Sequence, residues 1–253
     1  MNFETIIQLK NISKTYTTFL GFKKRKVLAV DKVSLEVYKK EIFTLLGPNG
    51  SGKTTLLNII MGQILPDNGE VFIFGTKLET TIPEQIKRKM NMCSGNPNFP
   101  WCMTVKELLK FYGLLYGITG KKLKQQVEKL ISIFELEKFA DVRFDELSTG
   151  TKQRLALAKS LINDPEILLL DEPTLGLDPE VSIKIRQFIK KLKQEQNITI
   201  ILTTHYMKEA EELSDRIAFI NNGKILTVGT LQEIFNTTKS TSLEEVFLKL
   251  AHL

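Results

Sequence analysis

Short, half-apolar runs rich in β-branched residues open the chain. IIQLKNI (6–12) and VLAVDKVSLEV (27–37) read as strands, and IFTLL (42–46), apolar before a glycine-rich turn, reads as a buried strand. Between the first two, TTFLGFKKRK with Gly21 and its basic cluster reads as a solvated hairpin tip. From Thr104 to Ile118 the apolar residues Val105, Leu108, Leu109, Tyr112, Leu115 and Tyr116 recur in steps of three and four, and Val127, Leu130, Ile131 and Phe134 repeat the pattern, which predicts a helical middle third. Buried-strand patterns return at ILLL (167–170) and ITIILTT (198–204), separated by the helical stretch VSIKIRQFIKKLKQ. RIAFI and KILTVG flank the turn Asn221, Asn222, Gly223 and predict a hairpin, and the amphipathic SLEEVFLKLAHL closes the chain as a helix. Strands alternating with helices predict an α/β chain built on a mainly parallel sheet, with the helical middle inserted into one domain.

Composition changes this picture little. With 253 residues, 42% of them hydrophobic and 25% charged, the chain has ordinary globular composition and can bury a sizeable core. A net charge of +6 would suit nucleic acid or an anionic membrane face, but the lysines are spread along the chain, so charge alone selects no partner. Cys93 and Cys102 have no histidine near them and suggest neither a zinc site nor a disulfide framework, which points to a reducing compartment. The start MNFETIIQLKN carries no apolar core of a secretory signal, and no apolar run approaches the roughly 20 residues of a membrane-spanning helix. If the protein acts on a membrane, another chain must cross it.

The chemistry begins after the third strand. Gly47, Pro48, Asn49, Gly50, Ser51, Gly52, Lys53 and Thr54 fit the pattern G-x-x-x-x-G-K-[ST], between a buried strand and the helical run TTLLNIIMG that Thr54 and Thr55 open. Glycines let backbone N–H groups close around phosphate oxygens at a positive helix N-terminus. Lys53 is placed to contact the β- and γ-phosphates of a nucleoside triphosphate, and the Thr54 hydroxyl to bind Mg²⁺. Further on, the strand Ile167 to Leu170 delivers Asp171 and Glu172 to the C-terminal edge of the sheet, a Walker B arrangement. Asp171 is expected to hold Mg²⁺ through its water shell, and Glu172 to polarise the water that attacks the γ-phosphate.

Between these motifs the run Leu147, Ser148, Thr149, Gly150, Thr151, Lys152, Gln153, Arg154 resembles the signature of the ATP-binding-cassette (ABC) family, commonly LSGGQ; Ser148 and Gly150 match, while Thr149 and Thr151 depart. The resemblance covers almost the whole chain. It implies a P-loop NTPase (RecA-like) core with an N-terminal antiparallel β subdomain (together 1–92 and 160–235), a helical subdomain carrying the signature (93–159) and a C-terminal helix (236–253). It also implies that Ser148 and Gly150, at a helix N-terminus, bind the γ-phosphate of a nucleotide held by another copy of the domain. Gly176, Leu177, Asp178 and Pro179 resemble the D-loop, through which two copies communicate. His205 resembles the switch histidine that contacts the γ-phosphate, and Tyr16 the aromatic that stacks on adenine.

One departure stands out. Counting back from Thr104 and Val105 puts Gly95 where the family has its Q-loop glutamine, so the shorter amide of Asn96 is the candidate substitute toward Mg²⁺ or the attacking water. Phe99 and Trp101 beside it read either as a wall against a membrane partner or as helical-subdomain core. TTHYMKEAEELSDRIAFINNGKI, LSTGTKQR and SLEEVFLKL are similar to the ABC-2 exporter branch. The resemblance therefore implies an ATP-hydrolysing subunit at the inner face of the cell membrane. It would use ATP and Mg²⁺, pair with a second ABC subunit and drive a polytopic permease, with no nucleic-acid partner expected. The alternative is a soluble ABC ATPase of DNA repair, ribosome function or cluster assembly.

Overall fold

The computed structural model describes residues 4–20, 23–95 and 97–251, so Gly21 of the expected hairpin tip and Asn96 lie outside the described residues. Strands β1 (Thr5–Leu20), β2 (Lys23–Tyr38) and β3 (Ile42–Leu46) precede helix α1 (Lys53–Ile60), which is followed by β4 (Asn68–Ile73), β5 (Thr76–Leu78), α2 (Glu84–Lys87) and β6 (Met90–Ser94). The helical middle comprises α3 (Val105–Leu115), α4 (Gly120–Ile133) and α5 (Thr149–Ser160). Then come β7 (Ile167–Asp171), α6 (Pro179–Gln196), β8 (Thr199–Thr204), α7 (Met207–Leu213), β9 (Arg216–Asn221), β10 (Lys224–Gly229), α8 (Leu231–Thr238) and α9 (Leu243–Ala251).

Two sheets result. One is antiparallel, in the order β2-β1-β4-β5, and the other runs β10-β9-β3-β8-β7-β6 with every pairing parallel except β10 with β9. Every residue of β3, β7 and β8 is buried, as expected of central parallel strands covered on both faces. Their period-2 alternation divides the core. Ile42, Leu168, Leu170, Ile200 and Leu202 pack toward the helical middle, whereas Phe43, Leu45, Leu169 and Ile201 pack toward α1 and the antiparallel sheet. A smaller cluster joins Ile217 and Phe219 of β9 to Leu243 and Val246 of α9.

The register matters most for the site. Ser94 pairs with Asp171, Asp171 with Thr203 and Leu46 with Thr204, so β6, β7, β8 and β3 end side by side and their loops form one crevice, the place where open α/β sheets bind ligands. The helical middle is joined to this frame at specific points. Thr104 and Glu107 form a reciprocal capping box that fixes the start of α3. Arg154 on α5 donates to the carbonyls of Phe134 (3.2 Å) and Glu135 (3.0 Å) at the end of α4, and the buried Phe134 ring meets Phe188 of α6 at 5.1 Å between centroids.

Sequence periodicity misses β4, which lies between β1 and β5 in the antiparallel sheet, because only Val71 and Ile73 of its six residues are buried. It also misses α7 and α8, whose seven or eight residues are too short for a persuasive helical period.

Removing the Phe134 ring should leave a cavity where α4 meets α6. Phe134→Ala is therefore expected to lower unfolding free energy by about 3–5 kcal/mol, read from the midpoint and slope of a urea titration. A loss below about 1 kcal/mol would show that the ring does not tie these helices together.

Candidate active site

The loop between β3 and α1 is shaped by close backbone approaches. A Cβ at Gly47 would sit 2.0 Å from the Ile220 carbonyl oxygen, and one at Gly52, whose φ is 107°, would sit 2.4 Å from the Ala29 carbonyl oxygen. Only glycine fits both places. The first turn of α1 carries no acidic side chain of its own, so its positive end faces groups brought from elsewhere in the chain. Lys53 enters that turn almost completely buried and donates to the carbonyls of Gly47 (2.7 Å) and Pro48 (3.1 Å). Ser51 Oγ, also buried, has no hydrogen-bond partner among the described residues, an arrangement suited to a phosphate oxygen.

Opposite stands the end of β7. Asp171 accepts from Thr203 Oγ1 at 2.6 Å and from Thr54 Oγ1 at 3.0 and 3.1 Å. A carboxylate and a hydroxyl so close supply the hard oxygen donors that Mg²⁺ prefers, so the residues present fit that ion. Glu172 adopts a left-handed φ of 51° and is held there by its N–H, which donates to Thr203 O (3.1 Å) and Oγ1 (3.0 Å). This uncommon turn aims its carboxylate back across the crevice. Oε1 lies 3.1 Å from Lys53 Nζ, and Oε2 lies 2.6 Å from His205 Nδ1.

These groups border a cleft of about 540 Å³, lined among others by Tyr16, Asn49, Gly50, Gly52, Lys53, Thr54, Thr55, Asp171 and Glu172. The Tyr16 hydroxyl stands 3.5 Å from Thr55 Oγ1. The structure thus gathers Tyr16, most of the P-loop and the carboxylate pair around one crevice, while His205 does not line it and is joined to it through Glu172.

Ser148, Gly150 and Asp178 do not line it. Ser148 caps α5, its Oγ accepting from Thr151 N (3.2 Å) and lying 2.8 Å from Thr151 Oγ1. Thr151, one of the departures from the common signature, therefore sits against the signature serine. A Cβ at Gly150 would meet Val181 Cγ1 at 3.1 Å, and Asp178 is the N-cap residue of α6 without a side-chain capping bond.

Asn96 cannot be placed, because it is outside the described residues. Gly95 can: a Cβ there would stand 2.5 Å from the carbonyl oxygen of Glu172 and 2.7 Å from that of Asp171. The glycine lets the end of β6 press against the carboxylate-bearing turn. Phe99 and Trp101 take opposite roles: Phe99 packs on Tyr112 (5.5 Å) and Phe144 (5.4 Å), whereas Trp101 is 64% exposed beneath the Arg143 guanidinium. The Cys93 thiol is pushed up to about 12 by burial and is inert as a nucleophile. Thr203, which holds both acidic residues, escapes sequence reading, because β8 carries three threonines and nothing in the sequence distinguishes Thr203 from Thr199 or Thr204.

The family model described as ABC transporter matches residues 30–175. The ABC transporter ATP-binding protein NatA of Bacillus subtilis is 35% identical over 227 residues, covering 89% of this chain and 92% of NatA. The Nod factor export ATP-binding protein I of Cupriavidus metallidurans is 34% identical over 242 residues, covering 96% of this chain and 77% of that protein. Matching relatives include proteins named for import as well as export. Among solved structures, the dimeric post-hydrolysis state of the ATP-binding cassette MJ0796 bound to ADP and Pi superposes with a TM-score of 0.80 at 31% identity, covering 89% of this chain and 99% of that one.

Two outcomes are expected of this geometry. Tyr16→Ala should weaken ATP binding about tenfold through loss of a stacking face, measured by nucleotide titration; unchanged affinity would make Tyr16 a packing residue only. Gly95→Gln should fail to restore a conventional site, because its Cβ must displace the backbone carbonyls of Asp171 and Glu172. ATPase turnover should fall at least about tenfold, the rate equivalent of 1.4 kcal/mol in the barrier, and a variant as active as the parent would contradict the steric account.

Proposed function

This chain belongs to the ABC transporter family, and from that premise we propose that Glu172 is the base preparing water for attack on the γ-phosphate, with Lys53 and His205 as its partners. The protein is an ATP-binding and ATP-hydrolysing subunit that powers transport. The observation that carries the assignment is the continuous chain Lys53 Nζ, Glu172 carboxylate, His205 Nδ1 at the mouth of the cleft, with contacts of 3.1 and 2.6 Å.

In this reading Lys53 leaves the Gly47 and Pro48 carbonyls and Glu172 for the β- and γ-phosphates, which are stronger acceptors. The freed Glu172 carboxylate takes the proton of the attacking water as its oxygen bonds to the γ-phosphorus and the bond to the ADP oxygen breaks. His205, released from Glu172, bonds a γ-phosphate oxygen. Thr54 and Asp171 would hold Mg²⁺, which when bound neutralises charge on the β- and γ-phosphates. Tyr16 stacks on adenine, and backbone N–H groups from Gly47 to Thr55 surround the phosphates. Asn96, beside a position where glutamine does not fit, remains the candidate amide.

Ser148 and Gly150 point to a second copy. They lie at the N-terminus of α5, away from this chain's own cleft, so their phosphate contact is made across a dimer, with Asp178 at the same interface. In this reading segments 1–92 and 160–235 form the nucleotide-binding core, 93–159 the helical unit and 236–253 the terminal helix. No helix among the described residues is long and apolar enough to cross a membrane. The movement is passed to a separate polytopic permease at the cytoplasmic face, and exporter-like motifs favour outward transport.

Glu172→Gln should preserve ATP binding while slowing hydrolysis by roughly 10² or more; hydrolysis at the parent rate would exclude Glu172 as the base. Light scattering of that variant should show dimers in Mg-ATP and monomers in Mg-ADP, with Ser148→Arg removing the dimer. A variant that binds ATP yet stays monomeric, even with the native partner cassette added, would overturn the shared site.

A further inference from the structure

Glu209 on α7 is a buried acid that the hydrolytic scheme does not use. It is only 2% exposed, and its Oε2 has no hydrogen-bond partner among the described residues. Its Oε1 accepts from Thr174 Oγ1 at 2.8 Å, and Thr174 is itself 5% exposed. Desolvation pushes the carboxyl above its ordinary range, against the opposing influence of the Thr204 and Thr174 hydroxyls and of Arg186. Burying such a group costs free energy unless its contacts return it, so its place invites a functional account.

The place is specific. Thr174 lies two residues beyond Glu172, in the turn leading to Asp178, where Leu175 N bonds Glu172 O and Leu177 N bonds Thr174 O. Thr204 immediately precedes His205, and its Oγ1 accepts from Tyr206 N at 3.0 Å, at the residue that caps the start of α7 on which Glu209 lies. Two links therefore join the turn after β7 to the segment after β8. The outer one, Glu172 with His205, is partly exposed at the cleft; the inner one, Glu209 with Thr174, is closed to solvent. During turnover the outer link must open, because both of its members are needed at the γ-phosphate.

We propose that Glu209 is a positioning residue: through Thr174 it keeps the Glu172 turn in register with the His205 segment, which runs straight into α7, while the contact between Glu172 and His205 is exchanged for the nucleotide. The inner link holds the two segments at a fixed separation, so His205 and Glu172 part by side-chain movement and meet the same phosphate. This rests on the assignment of Glu172 and His205 as the hydrolytic pair.

The test compares Glu209→Ala, Glu209→Gln and Thr174→Val in steady-state ATPase assays and Mg-ATP titrations, with Glu172→Gln as control. Glu209→Ala should lower kcat about tenfold while ATP affinity stays within about twofold. The isosteric amide of Glu209→Gln still accepts from Thr174 and should recover at least half the parent rate. Thr174→Val should mimic Glu209→Ala, and the double variant should be no slower than either, since both remove one link. Unchanged kcat in Glu209→Ala, an equal loss of kcat and affinity, or multiplying effects in the double variant would overturn the proposal. If Glu209→Ala does not fold, Thr174→Val decides alone: reduced kcat at unchanged affinity supports the link, and a parent-like kcat refutes it. An active Glu172→Gln control would instead show that the hydrolytic assignment itself has failed.

Discussion

A lysine ammonium 5% exposed at the start of a helix must find acceptors, and much of this molecule is arranged to provide them. Lys53 sits where the α1 dipole is positive, so the helix itself repels it. Two carbonyls of its own loop and the Glu172 carboxylate compensate. That demand ties the loop after β3 to the end of β7, while glycine at positions 47 and 52 lets the same loop pass against the Ile220 and Ala29 carbonyls. The same interaction links binding to chemistry, because the group that holds Lys53 is the group proposed to activate water.

The sheet supplies alignment. In-register pairing sets Ser94, Asp171 and Thr203 in one row, and Thr203 then fixes both acidic residues, bonding the Asp171 carboxylate and the Glu172 N–H. Helix α1 is packed by Leu56, Leu57, Ile59 and Ile60 against the β3 side of the core, which sets Thr54 over Asp171. Among the described residues helices α3, α4 and α5 do not line this crevice; they carry the Ser148 turn elsewhere, on a frame joined by the Phe134 and Phe188 contact. A nucleotide cleft on one side and the Ser148 turn displaced to the other is the arrangement from which the shared active site is proposed.

Much of this was legible in the residues. The buried runs at 42–46, 167–170 and 198–204 gave the central strands, because continuous apolar stretches ending in Gly47, Asp171 and His205 state both burial and where the chemistry must lie. The spacing of Val105, Leu108, Leu109 and Tyr112 gave α3. What escaped depended on long-range pairing: β4 is recognisable only beside β1, and Thr203 and Glu209 gain meaning from neighbours more than thirty residues away. Gly95 is instructive in the same way. Sequence position marks it as a missing glutamine, whereas the structure shows a close backbone approach that excludes any side chain.

The central claim is that Lys53, Glu172 and His205 belong to a phosphate site completed by a second copy. A crystal structure of the Glu172→Gln variant with Mg-ATP tests it most directly. The account predicts Lys53 Nζ on the β- and γ-phosphate oxygens, His205 turned from residue 172 to the γ-phosphate, and Ser148 of the opposing copy against that phosphate. Nucleotide bound with Lys53 still on the Gly47 carbonyl and residue 172, or a γ-phosphate fully enclosed by one chain, would contradict it.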